Sequence, residues 1–241
     1  MKIYKFKDLR EESKFPHLLQ IIEENKIWCA SPDSLNDPDE FRFDMECEPT
    51  HETKTLLTSM LEKLGTTHYP PKMIASHAIH HKTLQTFTKP EVDIIIKNCR
   101  GNCGVTSFSM TDTGEDLWKR YGGYGNGAVV EIEIPDNLIG DRYHIVSYEP
   151  VRTFHIDLFF KSQLTGSEEI FRKILCTKTT TWEDEQEIRY LSKTPNINIV
   201  LESPVTSLTI GNKVSTKKIE QLIAICEQKE VPIKMASTVA K

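Results

Sequence analysis

The chain has 241 residues, 38% of them hydrophobic and 27% charged, a balance that belongs to soluble globular proteins with ample length to bury a core. A net charge of −5 argues against a dedicated duplex nucleic-acid binder, which carries a basic face, though not against an enzyme that acts on nucleic acid through a local patch. No apolar run approaches the ~20 residues that span a bilayer, and residues 1–7 lack a signal-peptide core, so a cytoplasmic protein with no membrane partner is expected.

In chain order, residues 3–6 read as a short first strand, and residues 15–25 as a helix whose apolar stripe is Leu18, Leu19, Ile21 and Ile22. A second strand covers residues 26–30. Residues 31–40 follow, dense in Pro, Asp, Asn and Ser, the composition of a polar loop at a strand end. Residues 50–98 predict an inserted helical layer in two or three pieces, broken at Gly65 and at Tyr69-Pro70-Pro71. Its apolar faces are Leu56, Leu57, Met60, Leu61 and Leu64, then Val92, Ile94, Ile95 and Ile96.

After Gly101 the texture changes to β-formers. Strands are predicted over residues 104–109, 128–134, 143–148, 186–192, 205–210 and 231–235. Between them lie a short helix at 116–121, a helix at 167–178 and an amphipathic helix at 216–229 with Ile219, Leu222, Ile223 and Cys226 inward. The glycine-rich turn at 122–127 follows a helix and precedes a strand. Phosphate-cradling glycine motifs need the opposite order, so its glycines serve positive φ or the close approach of a ligand. Hairpins mixed with helices, without regular βαβ alternation, give an α+β fold in a single domain over 1–241.

Chemistry concentrates at residues 177–190. If the segment is extended, Glu183, Glu185, Glu187 and Arg189 share one face; if it is helical, Glu185 and Arg189 form an (i, i+4) pair on a solvated surface. The six cysteines are scattered and expected to be reduced thiols, and Cys99 and Cys103 with His77, His80 and His81 match no compact zinc spacing.

The ordered features resemble a bacterial family of unknown function, domain-of-unknown-function family 2971. The opening match is Ile3-Tyr4-Lys5-Phe6, then Ile27 to Pro32 and Leu35 to Glu40. The middle match is Ser107-Phe108-Ser109, Leu117 to Tyr121 and the strand from Gly127 to Ile134. Lys178 with Trp182 to Arg189 follows, then Ile210-Gly211-Asn212. The family often has a histidine where this chain has Arg120. A looser resemblance, by arrangement, is to the ADP-ribosyltransferase-like folds: a polar residue on a first strand, a central aromatic or hydroxyl residue, and a late glutamate. It implies a mostly antiparallel, mixed split sheet with flanking helices.

Three functions follow as expectations. The resemblance implies an ADP-ribosyltransferase that consumes NAD, set as a bacterial toxin or phage-defence effector, modifying a nucleic acid or protein acceptor and silenced by an antitoxin-like partner. Glu187 or Glu185 would stabilise the oxocarbenium-like state, and Tyr121 would stack on nicotinamide. Tyr4 and Lys5 would hold ribose or diphosphate, Asn36 and Asp37 would order the neighbouring loop, and Arg189 would fork onto phosphate. Ser31 and Trp118, in the matched motifs, complete the cofactor-binding set. The alternatives are a phosphodiester enzyme holding a divalent cation through Asp37, Glu40, Glu185 and Glu187, and a binding module without turnover.

Overall fold

The computed structural model describes the chain except residues 36, 38, 39, 66, 67 and 238–241. Its strands, in order, are β1 (Lys2–Asp8), β2 (Lys26–Cys29), β3 (Asp44–Glu46), β4 (Gly104–Ser109), β5 (Gly127–Glu133), β6 (Tyr143–Ile145), β7 (Ser147–Glu149), β8 (Thr153–His155), β9 (Thr177–Thr179), β10 (Glu187–Ser192), β11 (Ile197–Val200), β12 (Val205–Ile210) and β13 (Ile233–Met235). The helices are α1 (Phe15–Glu24), α2 (Thr53–Leu64), α3 (Pro71–His80), α4 (Leu84–Asn102), α5 (Glu115–Arg120), α6 (Ile156–Thr165), α7 (Glu169–Leu175) and α8 (Thr216–Gln228).

A seven-stranded sheet, β13-β12-β5-β1-β4-β10-β6, organises the molecule. It is antiparallel except where β13 runs parallel to β12, and the fold is α+β. β1 lies along β5 over its whole length, from Lys2 opposite Glu133 to Asp8 opposite Gly127. Against its other neighbour, β4, it pairs at one position, Tyr4 opposite Ser109. Beyond that point the two strands diverge. At the far end of β4, Val105 exchanges backbone hydrogen bonds of 2.8 and 3.0 Å with Ala30, just past β2. The sheet is therefore split, with a gap between β1 and the middle of β4.

Apolar patterning fixes the layers. One core buries Ile3, Val130, Ile132 and Leu208 of the sheet under Leu18, Ile21 and Ile22 of α1 and Leu222 and Cys226 of α8. α1 (starting at Phe15) carries Pro16 in its first turn, which the fixed proline φ suits, and stops at Asn25, left-handed at φ 55° and anchored to the Leu201 carbonyl at 2.8 Å. A second core joins α2, α3 and α4 to α6 and α7 through Leu57, Ala75, Val92, Ile95, Phe160 and Ile174. The periodicity misplaces three residues, which are exposed: Leu64 is the last residue of α2, Ile94 lies about a third of a turn from the buried face of α4, and Ile223 lies at the edge of that of α8.

The helical layer divides as its breakers dictate, with one further break at Lys82, which adopts φ 52°. Strands β3, β8, β9 and β11 and helix α6 carry no strong sequence signal; the strands are only three or four residues long. Residues 143–148, read as one strand, break at Val146 into β6 and β7 because β6 pairs with β10 and β7 with β9. The glycine turn serves close backbone approach: a Cβ on Gly211 would stand 2.3 Å from the Gly125 carbonyl oxygen, and one on Gly127 2.3 Å from that of Lys7.

Candidate active site

A cavity of about 290 Å³ opens where β1 and β4 part. Tyr4, Lys5, Phe6 and Lys7 of β1 form one wall, and Val105 to Ser109 of β4 the other. Glu187 and Arg189 enter from β10, Lys178 from β9, Tyr121 from the end of α5, and Asp37 and Glu40 from the polar loop. Four stretches far apart in sequence thus meet because a split sheet leaves one unfilled seam.

The chain enters β10 through a turn rather than as a continuous strand. Residues Thr180–Glu185 form a 3-10 helix, and Gln186 is left-handed at φ 42° and ψ 54°. The extended reading of residues 182–189 therefore fails before Glu187, and Glu183 is exposed. The turn is pinned to β4, with the Ser109 hydroxyl donating to the Glu185 carbonyl at 2.8 Å and the Met110 N–H to the Gln186 carbonyl at 2.8 Å. Its consequence is that Glu185 and Glu187 close on the same ammonium, with Lys178 Nζ 2.7 Å from Glu185 Oε2 and 2.9 Å from Glu187 Oε2.

Each carboxylate has further partners. The Arg189 guanidinium, 1% exposed, forks onto Glu187 at 2.7 and 3.2 Å, reaches Glu40 Oε1 at 2.9 Å and donates to the Leu175 carbonyl. Glu185 Oε1 accepts from the Tyr121 hydroxyl at 2.7 Å and from Arg120 at 3.0 Å, while Arg120 also holds Asp184 at 2.7 Å. Trp182 backs this end, its ring 4.9 Å from Lys178 Nζ and 5.3 Å from the Arg120 guanidinium carbon. Burial pushes the Glu187 pKa up, but Arg189 and then Lys178 outweigh it and hold the group at about 2. Glu187 is an anion at every physiological pH.

The opposite wall carries two buried lysines. Burial drives the Lys5 ammonium down to about 7, assisted by Lys7, and its Nζ donates to the Ser107 carbonyl at 2.6 Å. Lys7 falls to about 8 through burial and then the repulsion of Lys14. The cavity thus has an anionic end at β10 and, on β1, two lysines whose charged forms burial disfavours.

Of the residues singled out in the sequence, Tyr4, Lys5, Asp37, Tyr121, Glu185, Glu187 and Arg189 all line this one cavity. Asn36 lies outside the described residues. Trp118, expected at the cofactor, packs edge-on against Phe6 at 5.6 Å and is outside the lining, because its apolar area is absorbed beside Leu117 and Val129. Ser31 also stands outside the lining, its N–H on Asn196 and its hydroxyl on the Arg100 carbonyl. Arg189, expected on phosphate, instead directs its donors to Glu187, Glu40 and Leu175. Asp37 meets Arg152 at 3.2 Å.

Sequence reasoning left Lys178, Arg120, Lys7 and Arg152 without roles. Arg120 supplies a donor to Glu185. Among the described residues, no three His, Cys, Asp or Glu side chains are placed to share a metal ion. The cysteines are free thiols, and burial raises Cys99 and Cys176 to about 12. No helix among the described residues is long and apolar enough to cross a membrane. No protein-family model, curated protein or solved structure matches the chain.

Proposed function

We propose that the protein is an ADP-ribosyltransferase-like enzyme that consumes NAD in the cleft between β1 and β4. One observation carries the reading: an ion-locked carboxylate pair, Glu185 and Glu187, shares a split-sheet cavity with Lys5 and Lys7. Breaking the nicotinamide–ribose bond sends the bonding electron pair out with nicotinamide and leaves positive charge on the ribose. A fixed anion beside that carbon lowers the barrier, because it is oriented before the reaction and needs no reorganisation. Glu187 meets this requirement. Held at about 2, it serves as a permanent charge and not as a proton acceptor.

Glu185, fixed by Tyr121, Arg120 and Lys178, immediately precedes the left-handed Gln186 and is assigned to the acceptor. The acceptor is a nucleophile of a nucleic acid or protein; it attacks the ribose carbon and loses its proton. A volume of about 290 Å³ sits at the small end of ligand pockets, and suits the nicotinamide–ribose half of the dinucleotide, with Lys5 and Lys7 facing the diphosphate. The phosphodiester reading is weaker, because a divalent cation at Asp37, Glu40, Glu185 and Glu187 would compete with Arg152, Arg189 and Lys178 for the same oxygens.

The test is Glu187→Gln and Glu185→Gln, made separately, with nicotinamide release followed in EDTA. Loss of one preorganised charge in such a site lowers turnover on the order of 10²–10³-fold, and that loss is expected for Glu187→Gln. Turnover unchanged in both variants removes the proposed role.

A further inference from the structure

Glu40 has a place in the cleft that the charge network does not account for. It is 4% exposed, lines the cavity, and neither carboxylate oxygen accepts a hydrogen bond of good geometry from any described residue. Oε1 is 2.9 Å from Arg189 Nη1, an ion pair, and Oε2 has no hydrogen-bond partner among the described residues. A buried anionic oxygen without a donor is rare in folded proteins and costly to maintain. Its position is also defined. Arg189 holds Glu187 through Nε and Nη2 and Glu40 through Nη1, so the two carboxylates stand on either side of one guanidinium.

Resting on the reading of this cleft as an NAD site, we propose that Glu40 is a specificity residue that accepts a hydrogen bond from a neutral donor next to the scissile bond, and that this donor is the nicotinamide carboxamide. Glu187 faces the ribose carbon, and a group one guanidinium away is within reach of the ring that leaves it. A carboxamide N–H₂ gives Oε2 the donor it lacks. A carboxylate in its place brings a second anion against a buried first one and leaves Oε2 unsatisfied. Sites built to pair with one hydrogen-bonding group reject the analogue that lacks it far more strongly than sites that only fit its shape.

The experiment compares three probes on the full-length protein by calorimetry: NAD, nicotinic acid adenine dinucleotide, and ADP-ribose, which keeps the ribose hydroxyls but has no pyridine ring. Wild type is expected to prefer NAD over the acid dinucleotide by at least about tenfold. Glu40→Gln, which supplies an N–H and removes the charge, is expected to shrink that preference several-fold while binding ADP-ribose as wild type does. The wild-type ratio stands without any variant, so a poorly folding Glu40→Gln does not blunt the test. Equal wild-type affinity for NAD and the acid dinucleotide overturns the inference and leaves the NAD reading intact. So does a variant that changes ADP-ribose binding as much as NAD binding, since the donor would then belong to the ribose. Failure of all three probes to bind overturns both.

Discussion

Replacing Arg189 by methionine tests the network more severely than any change to the carboxylates. The side chain is 1% exposed, and its loss strips Glu187 of a forked partner at 2.7 and 3.2 Å and Glu40 of a cation at 2.9 Å. Removing one member of a buried pair costs roughly 3–5 kcal/mol, because the remaining charge stays buried without compensation. For a chain of this length, that corresponds to a fall in Tm of roughly 6–20 °C.

The sign of the pH dependence follows from Glu187. Its folded pKa of about 2 lies below its ordinary value of 4.5, so it contributes stability that is present above pH 4.5 and lost as pH falls through 2. That contribution is roughly 3 kcal/mol. Without Arg189, burial dominates and the Glu187 pKa rises, so the variant's deficit is largest at neutral pH and shrinks as Glu187 takes up its proton on acidification. Urea unfolding of both proteins at pH 7 and pH 4 measures it. A deficit under about 1 kcal/mol at pH 7, or one that does not change with pH, refutes the argument. The double variant Arg189→Met/Glu187→Leu should recover part of the loss, since well-packed apolar groups replace buried ion pairs at little cost.

Tyr121→Phe removes the 2.7 Å hydrogen bond to Glu185 Oε1 and is expected to lower nicotinamide release roughly tenfold with a nearly unchanged KM, read from initial rates. The folded pKa of Lys5, about 7, lies below its ordinary 10.5, so its burial destabilises the fold below pH 7 and that penalty fades between pH 7 and 10.5. Lys5→Met should therefore raise Tm at pH 6 relative to wild type, with the gain vanishing towards pH 10.5, while weakening NAD affinity at pH 6. Gly211→Ala places a Cβ 2.3 Å from the Gly125 carbonyl oxygen, a backbone atom, and is expected to cost roughly 1–3 kcal/mol in a thermal melt.

The elements that patterning made legible are those with enough length to show a period. α1 and α8 each carry a stripe buried against the sheet, and β5 and β12 are runs of β-formers with Gly, Asn or Pro near their ends. The three-residue strands β3, β8 and β9 left no mark because they form through parallel pairing to distant partners, β3 with β8 and β7 with β9. The acidic residues of the site were visible as a cluster, but their geometry was not. Left-handed Gln186 sets the turn between Glu185 and Glu187, and non-glycine residues seldom adopt that conformation. The cations that lock them, Lys178, Arg120 and Arg189, come from three elements. Among these, only Arg189 stood out, because it sits two residues from Glu187. Trp118 misled for a simple reason: a tryptophan in a motif beside a site is as readily an apolar anchor for its helix, and here it holds α5 against Phe6 of β1.

The proposed reaction is cleavage of the nicotinamide–ribose bond in the cleft between β1 and β4 without a metal. Proton NMR of NAD incubated with the wild-type protein in EDTA, alone and with nucleic acid or protein acceptors added, measures this directly. Free nicotinamide is expected in the wild-type sample, and its near absence with Glu187→Gln. NAD left intact by wild type in EDTA with every acceptor, but cleaved or matched by phosphodiester hydrolysis once magnesium is added, contradicts the proposed reaction.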